Sequence, residues 1–505
     1  MKNKEEKKKR QAEKQRERNR KQQEKKKIRE ERKIRFQKNR EIYVIAGLLS
    51  LFFLAMTIYY AYYVIAVSDT VVNNSYNPRI ASMENTVNRG SILSSSGQVL
   101  AETITTENGD RVRNYPYGEL FAHPIGYSTM KTTELERYLN FTLLSSHESI
   151  LKKVYYDLTE RRYEGDSVYT TLDAGLQQAV WDAMGSYNGA AIVMEPSTGR
   201  ILAMVSKPGY NPNTLAEDWS SLISEENKSY NLMNRVSQGI YPPGSTFKLL
   251  TVLEYIRENP DTWRDVTFEC DGAFEYGDGL VLRCHDGEAH GTVDIRSGIA
   301  ASCNGINAWL GLSLDRERFL ELCQSFGFND TIPLEIGTNA SQITLDETLN
   351  DWAMMLTSIG QGTVMETPLQ NALITCAIAN DGIMMKPYLV ETVVNEQWQV
   401  VQEYNPEEYR NPLTKEEADF LTDCMIAVVN EGSGGASGST HFQIAGKTGS
   451  ADYDSNGNRH AWYTGFAPAE DPQIVVSVIL ENGQSGGTYA APVAKAIFEY
   501  YLLRE

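Results

Sequence analysis

The sequence predicts a mixed α/β protein of the α+β class, in which helices cover an antiparallel sheet and a helical subdomain lies between the sheet's two halves. Three observations predict this fold class and the organisation of the chain. An uncharged stretch near the N-terminus indicates a transmembrane helix, the net charge changes sign across that stretch, and the remainder runs from strands through helices back to strands. The predicted segments are a basic cytoplasmic tail (1–40), a transmembrane helix (41–68), a small mixed membrane-proximal domain (69–165) and the main domain (166–505).

The tail differs sharply in charge from the rest of the chain. Residues 1–40 contain 20 Lys/Arg and 7 Glu, a net charge of +13, while the remaining 28 basic and 59 acidic residues give −31. The tail is low in complexity and its only aromatic residue is Phe36, so it lacks the interleaved aromatic residues expected for nucleic-acid binding. We expect no nucleic-acid partner, and anionic lipid of the inner leaflet is a sufficient partner for the tail.

The apolar stretch at 42–68 is long enough to cross a bilayer with some tilt and contains no charged residue. A cleavable signal peptide is disfavoured because the stretch is too long and no small-x-small site closes it. The excess of Lys/Arg on its N-terminal side places that end in the cytoplasm. The sequence therefore predicts a single-pass protein of the cell membrane with an extracellular acidic body.

The membrane-proximal domain contains a β-hairpin pattern at 89–102 and a helix-like stretch at roughly 132–156. The main domain opens with two apolar strands joined by a Pro-Ser-Thr-Gly turn, at 189–210. Helical periodicity then covers five segments, at 245–258, 294–312, 315–326, 367–380 and 414–430. Three strand candidates follow the Gly/Ser-rich segment 430–440, and a helix at 490–502 ends the pattern.

The six cysteines are few for an extracellular domain of this size, and no spacing among them suggests zinc. Cys270 and Cys284 flank a polar loop and could form a disulfide in an oxidising compartment. Two reduced cysteines are an equally good interpretation. The other four lie in apolar stretches typical of a core, so no metal and no cofactor are expected.

The segment "YPPGSTFKLL" at 241–250 places Ser245 and Lys248 three residues apart, on one face of a predicted helix. The following residues are apolar around most of the helix, which predicts burial, and burial disfavours a charged amine. A neutral lysine beside a serine can act as its general base. The alternative is that Ser245 only caps the helix while Lys248 extends to solvent.

Ser-x-x-Lys also occurs at Ser128–Lys131 and Ser149–Lys152, so this motif alone does not identify a nucleophile. Two later motifs favour Ser245. Ser302-Cys303-Asn304 begins 57 residues after Ser245, just inside a predicted helical region, and Lys447-Thr448-Gly449 begins 145 residues further on, in an edge-like strand. The ordered combination of the three motifs is far more specific than any one of them.

Each of the three motifs has a predicted role. Ser245 attacks a carbonyl carbon and Lys248 accepts the serine proton. Ser302 relays a proton to the leaving amine, while Asn304 holds Lys248 and the substrate backbone. The remaining predictions concern the substrate. Lys447 supplies positive charge, and Thr448 a hydroxyl, for a substrate carboxylate. Gly449 allows the close approach of a ligand, and the backbone N–H groups of Ser245 and Ser450 form an oxyanion hole.

This trio resembles the motif set of penicillin-binding proteins and serine β-lactamases. The flanking segments "GIYPPGSTFKLLT", "SIGQGTVMETPLQNALITCAIANDG" and "WYTGFAP" are similar to the transpeptidase domain of class B penicillin-binding proteins. "RGSILSSSGQVLAE" and "RNYPYGELFAHPIGYST" resemble the membrane-proximal part of a short, PbpA-like member, so the resemblance extends from about 85 to 500.

The resemblance implies a penicillin-binding, transpeptidase-like fold and a reaction. Ser245 would be acylated by a peptidoglycan stem peptide ending in D-Ala-D-Ala, the last D-Ala would leave, and the amine of a neighbouring strand would take the acyl group. β-Lactams such as penicillin would acylate the same serine. A membrane-embedded SEDS glycosyltransferase is the implied protein partner. Neither the glycosyltransferase domain of class A members nor PASTA-like repeats are recognisable in the sequence.

Other functions remain open at this point. A membrane-tethered β-lactamase or a D,D-carboxypeptidase needs a group that activates water, and "DETLN" at 346–350 has the outline of the Glu-x-x-x-Asn loop of class A β-lactamases. Asp346 replaces the glutamate, however, and a helix cap is the better interpretation. A β-lactam sensor or an inactive scaffold is a further alternative, disfavoured because every catalytic position is filled.

Overall fold

The computed structural model describes residues 2–64, 78–159, 161–277 and 279–504, and the chain forms two units, 1–74 and 75–505. The first unit contains helices Lys2–Lys38 and Arg40–Tyr62. The second of these has a mean hydropathy of 2.2 and is long and apolar enough to cross a membrane. The end of the predicted span, 65–68, lies outside the described residues.

A five-stranded antiparallel sheet forms the centre of the second unit, and its strands come from both ends of the main domain. In sheet order they are Ala445–Asp452, Arg459–Ala467, Ile474–Leu480, Gly189–Met194 and Ile201–Lys207. The predicted hairpin and the three later strands are therefore confirmed. The strand with the Lys-Thr-Gly motif lies at an edge, which leaves one of its sides free for other contacts.

Helices cover both faces of this sheet. Along Gly189–Met194, Ala191 and Val193 face one helical layer while Ala190 and Ile192 face the other, as the two-residue period of a strand requires. Ala174–Ala183 and Ala491–Leu503 pack on the first face, and Pro368–Ala379 and Lys415–Asn430 on the second. Both faces being covered explains why these strands are almost continuously apolar.

The helical block between the two halves of the sheet largely follows the prediction, with two differences. Its α-helices are Leu215–Leu222, Lys248–Glu258, Ile295–Ala300, Asn304–Ser313, Arg316–Ser325, Asp351–Ser358, Pro368–Ala379 and Lys415–Asn430. The helix predicted from 245 begins with a separate 3₁₀ turn, Gly244–Thr246. The helix predicted over 294–312 is broken at 301–303, where Ser302 has a left-handed φ of 56°.

Short strand pairs also occur in this block. Phe268–Cys270 pairs with Gly291–Val293, Ala273–Tyr276 with Leu280–Arg283, and Met384–Met385 with Glu408–Arg410. The first two pairs lie between helices Lys248–Glu258 and Ile295–Ala300, in a part of the sequence where we predicted only a polar loop.

A second sheet of six strands combines strands of the predicted membrane-proximal domain with strands of the main domain. Its order is Val400–Glu403, Val390–Val394, Ser167–Thr170, Ile92–Leu93, Val99–Thr105 and Arg111–Asn114. The hairpin predicted at 89–102 is confirmed within it. Because strands from before and after residue 165 pair with one another, no gap separates the two predicted domains there, and the boundary at 165 stays a prediction.

The remaining membrane-proximal elements are short. They are helices Pro78–Thr86, Ala122–Ile125, Glu134–Tyr138, Asn140–Leu144 and Ile150–Leu158 and the parallel pair Val87–Asn88 with Tyr163–Glu164. The single helix predicted over 132–156 is thus three helices. Glu136 is fully buried between Arg89 and Arg113, at 2.6 and 2.7 Å from their guanidinium nitrogens, and this ion triad joins the helices to the hairpin.

Candidate active site

Ser245 lies in the 3₁₀ turn Gly244–Thr246, directly before the buried helix Lys248–Glu258. The turn is held from two sides. The Gly244 N–H donates to Gly360 O at 2.8 Å, and the Trp462 indole N–H donates to Pro242 O at 3.0 Å. Gly244 has φ of +59°, and its Cβ would come within 3.0 Å of Ser450 O, so this position favours glycine. The half-buried serine is therefore fixed on a rigid turn.

Lys248 is fully buried, and its amine is directed at the break between two helices. Nζ donates to Ser302 O and to Asn304 Oδ1, both at 2.7 Å, and lies 3.5 Å from Ser302 Oγ. Burial lowers the pKa of Lys248 to about 8. Within the described residues no hydrogen bond joins Nζ to Ser245 Oγ, so proton transfer between them stays a prediction.

Ser302 occupies the break at 301–303 rather than the inside of a helix. Its N–H donates to Ile299 O at 3.1 Å and the Cys303 N–H donates to Gly298 O at 2.8 Å, which closes the end of the preceding helix. Left-handed backbone is uncommon for serine and costs on the order of 1 kcal/mol or more. The conformation directs the hydroxyl toward both lysines, and Asn304 then begins the next helix.

Lys447 lies in the edge strand Ala445–Asp452 and is fully buried. Its Nζ donates to Ser302 Oγ and to Thr448 O, both at 2.9 Å. Burial, reinforced by the nearby Lys248, lowers the pKa of Lys447 well below its usual range. Ser302 Oγ therefore lies between two amines, and Lys447 faces this hydroxyl rather than the open cavity.

Five of the predicted residues line one cavity of about 370 Å³: Ser245, Ser302, Asn304, Thr448 and Ser450. The structure therefore brings the three motifs together at one opening. The cavity is also lined by Ser433, whose hydroxyl lies 2.7 Å from that of Thr448. Ser450 Oγ accepts a hydrogen bond from the Gly486 N–H at 3.2 Å. The paired hydroxyls of Thr448 and Ser433 and the serine turn therefore line the same cavity.

Gly449 has a physical reason within the protein itself, in addition to the ligand contact that we predicted. A Cβ at this position would lie 2.8 Å from Pro243 O, 3.0 Å from Trp462 Cβ and 3.3 Å from Thr246 Cγ2. The missing side chain therefore makes room for the serine turn, which packs directly against the strand. Close approach of a ligand at Gly449 stays a prediction, but the protein's own turn already requires glycine.

The other candidates from the sequence lie elsewhere. Ser149 caps the helix Ile150–Leu158, and Lys152 pairs with Glu396 at 2.5 Å. Ser128 lies beside Tyr115 and does not line the cavity described above. Asp346 accepts from the Thr348 N–H at 2.9 Å, also away from the cavity, and Asn350 is the residue that caps helix Asp351–Ser358.

Several residues at the site were missed by the sequence analysis. Asn371 donates to Thr246 Oγ1 at 3.0 Å and accepts from Ser477, which connects the serine turn to the sheet. Ser433 and Gly360 have no recognisable motif of their own, although both lie in glycine-rich segments where a close approach was predictable. Cys303 is buried in the core, as predicted, but the sequence analysis missed that its thiol lies within 4.8 Å of the ligand atoms of Cys270, Cys284 and His290.

The match to known families agrees with this geometry. Residues 189–499 match the penicillin binding protein transpeptidase domain, and residues 89–168 match the penicillin binding protein A dimerisation domain. The chain therefore belongs to the penicillin-binding protein transpeptidase family.

Individual relatives are similar over most of the chain. The peptidoglycan D,D-transpeptidase PbpA of Mycolicibacterium smegmatis is 35% identical over 83% of this chain and 90% of its own length. Penicillin-binding protein A from M. tuberculosis, solved as a penicillin G acyl-enzyme complex, is 31% identical with a TM-score of 0.75, covering 83% of this chain and all of that one. The D,D-transpeptidase domain from Eggerthella lenta gives 30% identity and a TM-score of 0.74, with coverage of 83% and 100%.

Proposed function

We propose that this protein is a peptidoglycan D,D-transpeptidase, an acyl transferase that cross-links stem peptides through an ester on Ser245. The observation that carries the proposal is the joining of the three motifs at Ser302, whose hydroxyl lies 2.9 Å from Lys447 Nζ and 3.5 Å from Lys248 Nζ. Membership of the transpeptidase family and the names of the relatives support the same reaction.

In the first step Ser245 Oγ attacks the carbonyl carbon of the penultimate D-Ala, and Lys248 takes the serine proton. Burial keeps the pKa of Lys248 at about 8, so about one-tenth of the molecules carry the neutral base at pH 7. Asn304 Oδ1 and Ser302 O accept hydrogen bonds from the amine and fix its direction. The serine turn, in turn, is held rigid by Gly360 and Trp462.

Collapse of the tetrahedral intermediate breaks the C–N bond and releases D-Ala, whose nitrogen must gain a proton. Ser302 is the donor in our proposal because its hydroxyl lines the cavity and is in contact with both amines. The proton that Lys248 took from Ser245 replaces the one that Ser302 gives to the leaving nitrogen, because Lys248 Nζ lies 3.5 Å from Ser302 Oγ, and Lys248 is then neutral again. Lys447 acts behind Ser302, as the group that orients its hydroxyl. The same path reversed accepts a proton from the incoming amine, which attacks the ester and restores Ser245.

Other residues that line the cavity bind the substrate. The paired hydroxyls of Thr448 and Ser433 are suited to the terminal carboxylate of D-Ala-D-Ala or of a β-lactam. The backbone N–H groups of Ser245 and Ser450 supply the oxyanion hole, since both residues line the cavity. β-Lactams then acylate Ser245 and leave an ester that blocks the enzyme.

We further infer that Arg40–Tyr62 anchors the protein in the cell membrane with its N-terminus in the cytoplasm. The basic tail contacts anionic lipid, and a SEDS-type glycosyltransferase is the expected membrane partner. The uniformly exposed apolar helix and the Lys/Arg excess before it support this topology. Labelling of cysteines introduced at either end of the helix in intact cells tests the orientation, and pull-down of the full chain from membranes tests the partner.

Labelling of the full chain with fluorescent penicillin tests the reaction. We expect a long-lived adduct, mapped to Ser245 by mass spectrometry, and none in Ser245→Ala. Purified stem peptide with an acceptor amine should then give a cross-linked product with release of one D-Ala. Rapid hydrolysis of the adduct, or release of D-Ala without cross-linked product, would contradict the transpeptidase assignment and favour a β-lactamase or a carboxypeptidase.

A further inference from the structure

A group of metal-binding side chains lies beside the active-site cavity and has no place in the proposed reaction. We refer to it as the Cys3His cluster: Cys270, Cys284, His290 and Cys303. One ligand atom of each lies within 4.8 Å of the others. The three thiols are buried, and the imidazole is half-buried and lines the cavity.

The distances within the Cys3His cluster match those around one tetrahedral zinc ion. The sulfurs of Cys270 and Cys284 lie 3.6 Å apart, those of Cys284 and Cys303 lie 3.8 Å apart, and Cys270 Sγ lies 3.3 Å from His290 Nδ1. With Zn–S bonds of about 2.3 Å and a Zn–N bond of about 2.1 Å, tetrahedral geometry gives about 3.8 Å between sulfurs and about 3.6 Å between sulfur and nitrogen.

The ligands come from four different segments that the backbone holds in place. Cys270 ends one strand and pairs with Gly291, which places His290 next to it. The Cys284 N–H donates to Gly272 O at 2.9 Å, and Cys303 stands directly before helix Asn304–Ser313. Four ligands converging from separate segments are typical of a structural metal site, where the ion replaces a core that short strands cannot supply.

The chemistry of the donor set selects the class of metal. Three thiolates and one imidazole are soft and borderline ligands that suit zinc and exclude Ca²⁺ or Mg²⁺, which need oxygen ligands. A Cys270–Cys284 disulfide is the competing arrangement, and it would leave the third thiol and the imidazole without a function.

The surroundings favour bound thiolates. The backbone amides of Asn304 and Gly305, at the start of a helix, are directed at the sulfur of Cys284. Amide groups directed at a coordinating sulfur are common around zinc–thiolate sites, because they stabilise the negative charge of the ligands.

We propose that the Cys3His cluster binds one zinc ion, which holds the break at 301–303 in its left-handed conformation. Cys303 is the central residue of the Ser302-Cys303-Asn304 motif, so a bond from its sulfur to zinc fixes both neighbours. Ser302 contacts the two lysines and Asn304 contacts Lys248, which makes the ion a support for the catalytic geometry. The metal itself takes no part in acyl transfer.

The metal content of the full chain tests the site, and it does not depend on transpeptidase activity. After purification in detergent without chelator, we expect one zinc per chain by elemental mass spectrometry. Exchange with Co²⁺ should give the visible bands of tetrahedral, thiolate-bound cobalt. This measurement uses the wild-type chain, so it remains decisive if the variants do not fold.

Matched cysteine variants locate the ion. Cys270→Ala should lose the zinc, whereas Cys376→Ala, which removes a buried thiol outside the cluster, should keep it. A wild-type chain that remains free of zinc after exposure to it, or a native Cys270–Cys284 disulfide seen as the loss of two hydrogens, would overturn the site.

Removal of zinc tests the proposed support of the active site. Treatment of the wild-type chain with a chelator should slow its acylation by fluorescent penicillin at least ten-fold, and added zinc should restore the rate. If zinc is present in the chain but its removal leaves the acylation rate unchanged, the site stands and its support of Ser302 and Asn304 is refuted.

Discussion

The substitution Gly449→Ala separates two explanations for the glycine of the edge strand. In the structure, an alanine Cβ would lie 2.8 Å from Pro243 O and 3.0 Å from Trp462 Cβ, before any ligand is present. Restoring an ordinary contact of 3.4 Å requires the strand and the serine turn to separate by about 0.6 Å. If the glycine served only a bound ligand, alanine would leave the unliganded protein unaffected.

We therefore expect Gly449→Ala to destabilise the unliganded protein by about 1–3 kcal/mol, the usual cost of overpacking. The rate of acylation should fall by about 10- to 100-fold, because displacements of this size at a reacting group are that costly. Thermal unfolding of the unliganded protein and stopped-flow labelling with fluorescent penicillin measure the two effects.

Gly435→Ala is the matched control. Its Cβ would meet only Val429 O, at 3.7 Å, so we expect neither stability nor acylation to change. An unchanged melting temperature for Gly449→Ala, combined with slower acylation, would refute the packing explanation and favour direct contact with the ligand.

Three further predictions concern charge. The second-order rate constant of acylation should rise with pH to a plateau above about 8, since only neutral Lys248 accepts the serine proton; a flat profile would exclude it as the base. Asn304→Asp places a carboxylate where an amide oxygen now lies 2.7 Å from that amine. The midpoint of the pH profile of acylation should therefore move upward by at least one pH unit, which lowers the rate at pH 7 at least ten-fold. Glu136→Gln should lower the free energy of unfolding by about 3–5 kcal/mol in chemical denaturation, because it leaves Arg89 and Arg113 buried without their counter-charge; an unchanged midpoint would contradict this.

The sheet and its helical cover were predictable because local patterns carried them. Apolar runs bounded by turn residues marked the strands, and the strand with Lys447-Thr448-Gly449, predicted to be edge-like, does lie at an edge. That the three motifs lie close together was predictable only from their ordered combination, because Ser-x-x-Lys alone occurs three times in the chain. Its physical basis is long-range packing of the serine turn against the edge strand, which no local pattern shows.

The features that escaped prediction depend on contacts between distant segments. The break at Ser302 could not be predicted from the sequence. Neither glycine nor proline occupies 301–303, and the helical periodicity continues through "ASCNGINAW". The cysteines of the Cys3His cluster stand 14 and 19 residues apart in sequence, without the close pairs that usually reveal zinc ligands. For Gly449 we predicted only a contact with a ligand, because the turn that it contacts in the structure lies some 200 residues earlier in the sequence.

The six-stranded sheet has a practical consequence for anyone who shortens the chain. Ser167–Thr170 has Ile92–Leu93 on one side and Val390–Val394 on the other. Removing everything before residue 165 would strip one neighbour from this strand and expose its unpaired N–H and C=O groups, an open template for aggregation. A soluble version of the enzyme should therefore begin upstream of residue 87, where the first short strand of this region starts.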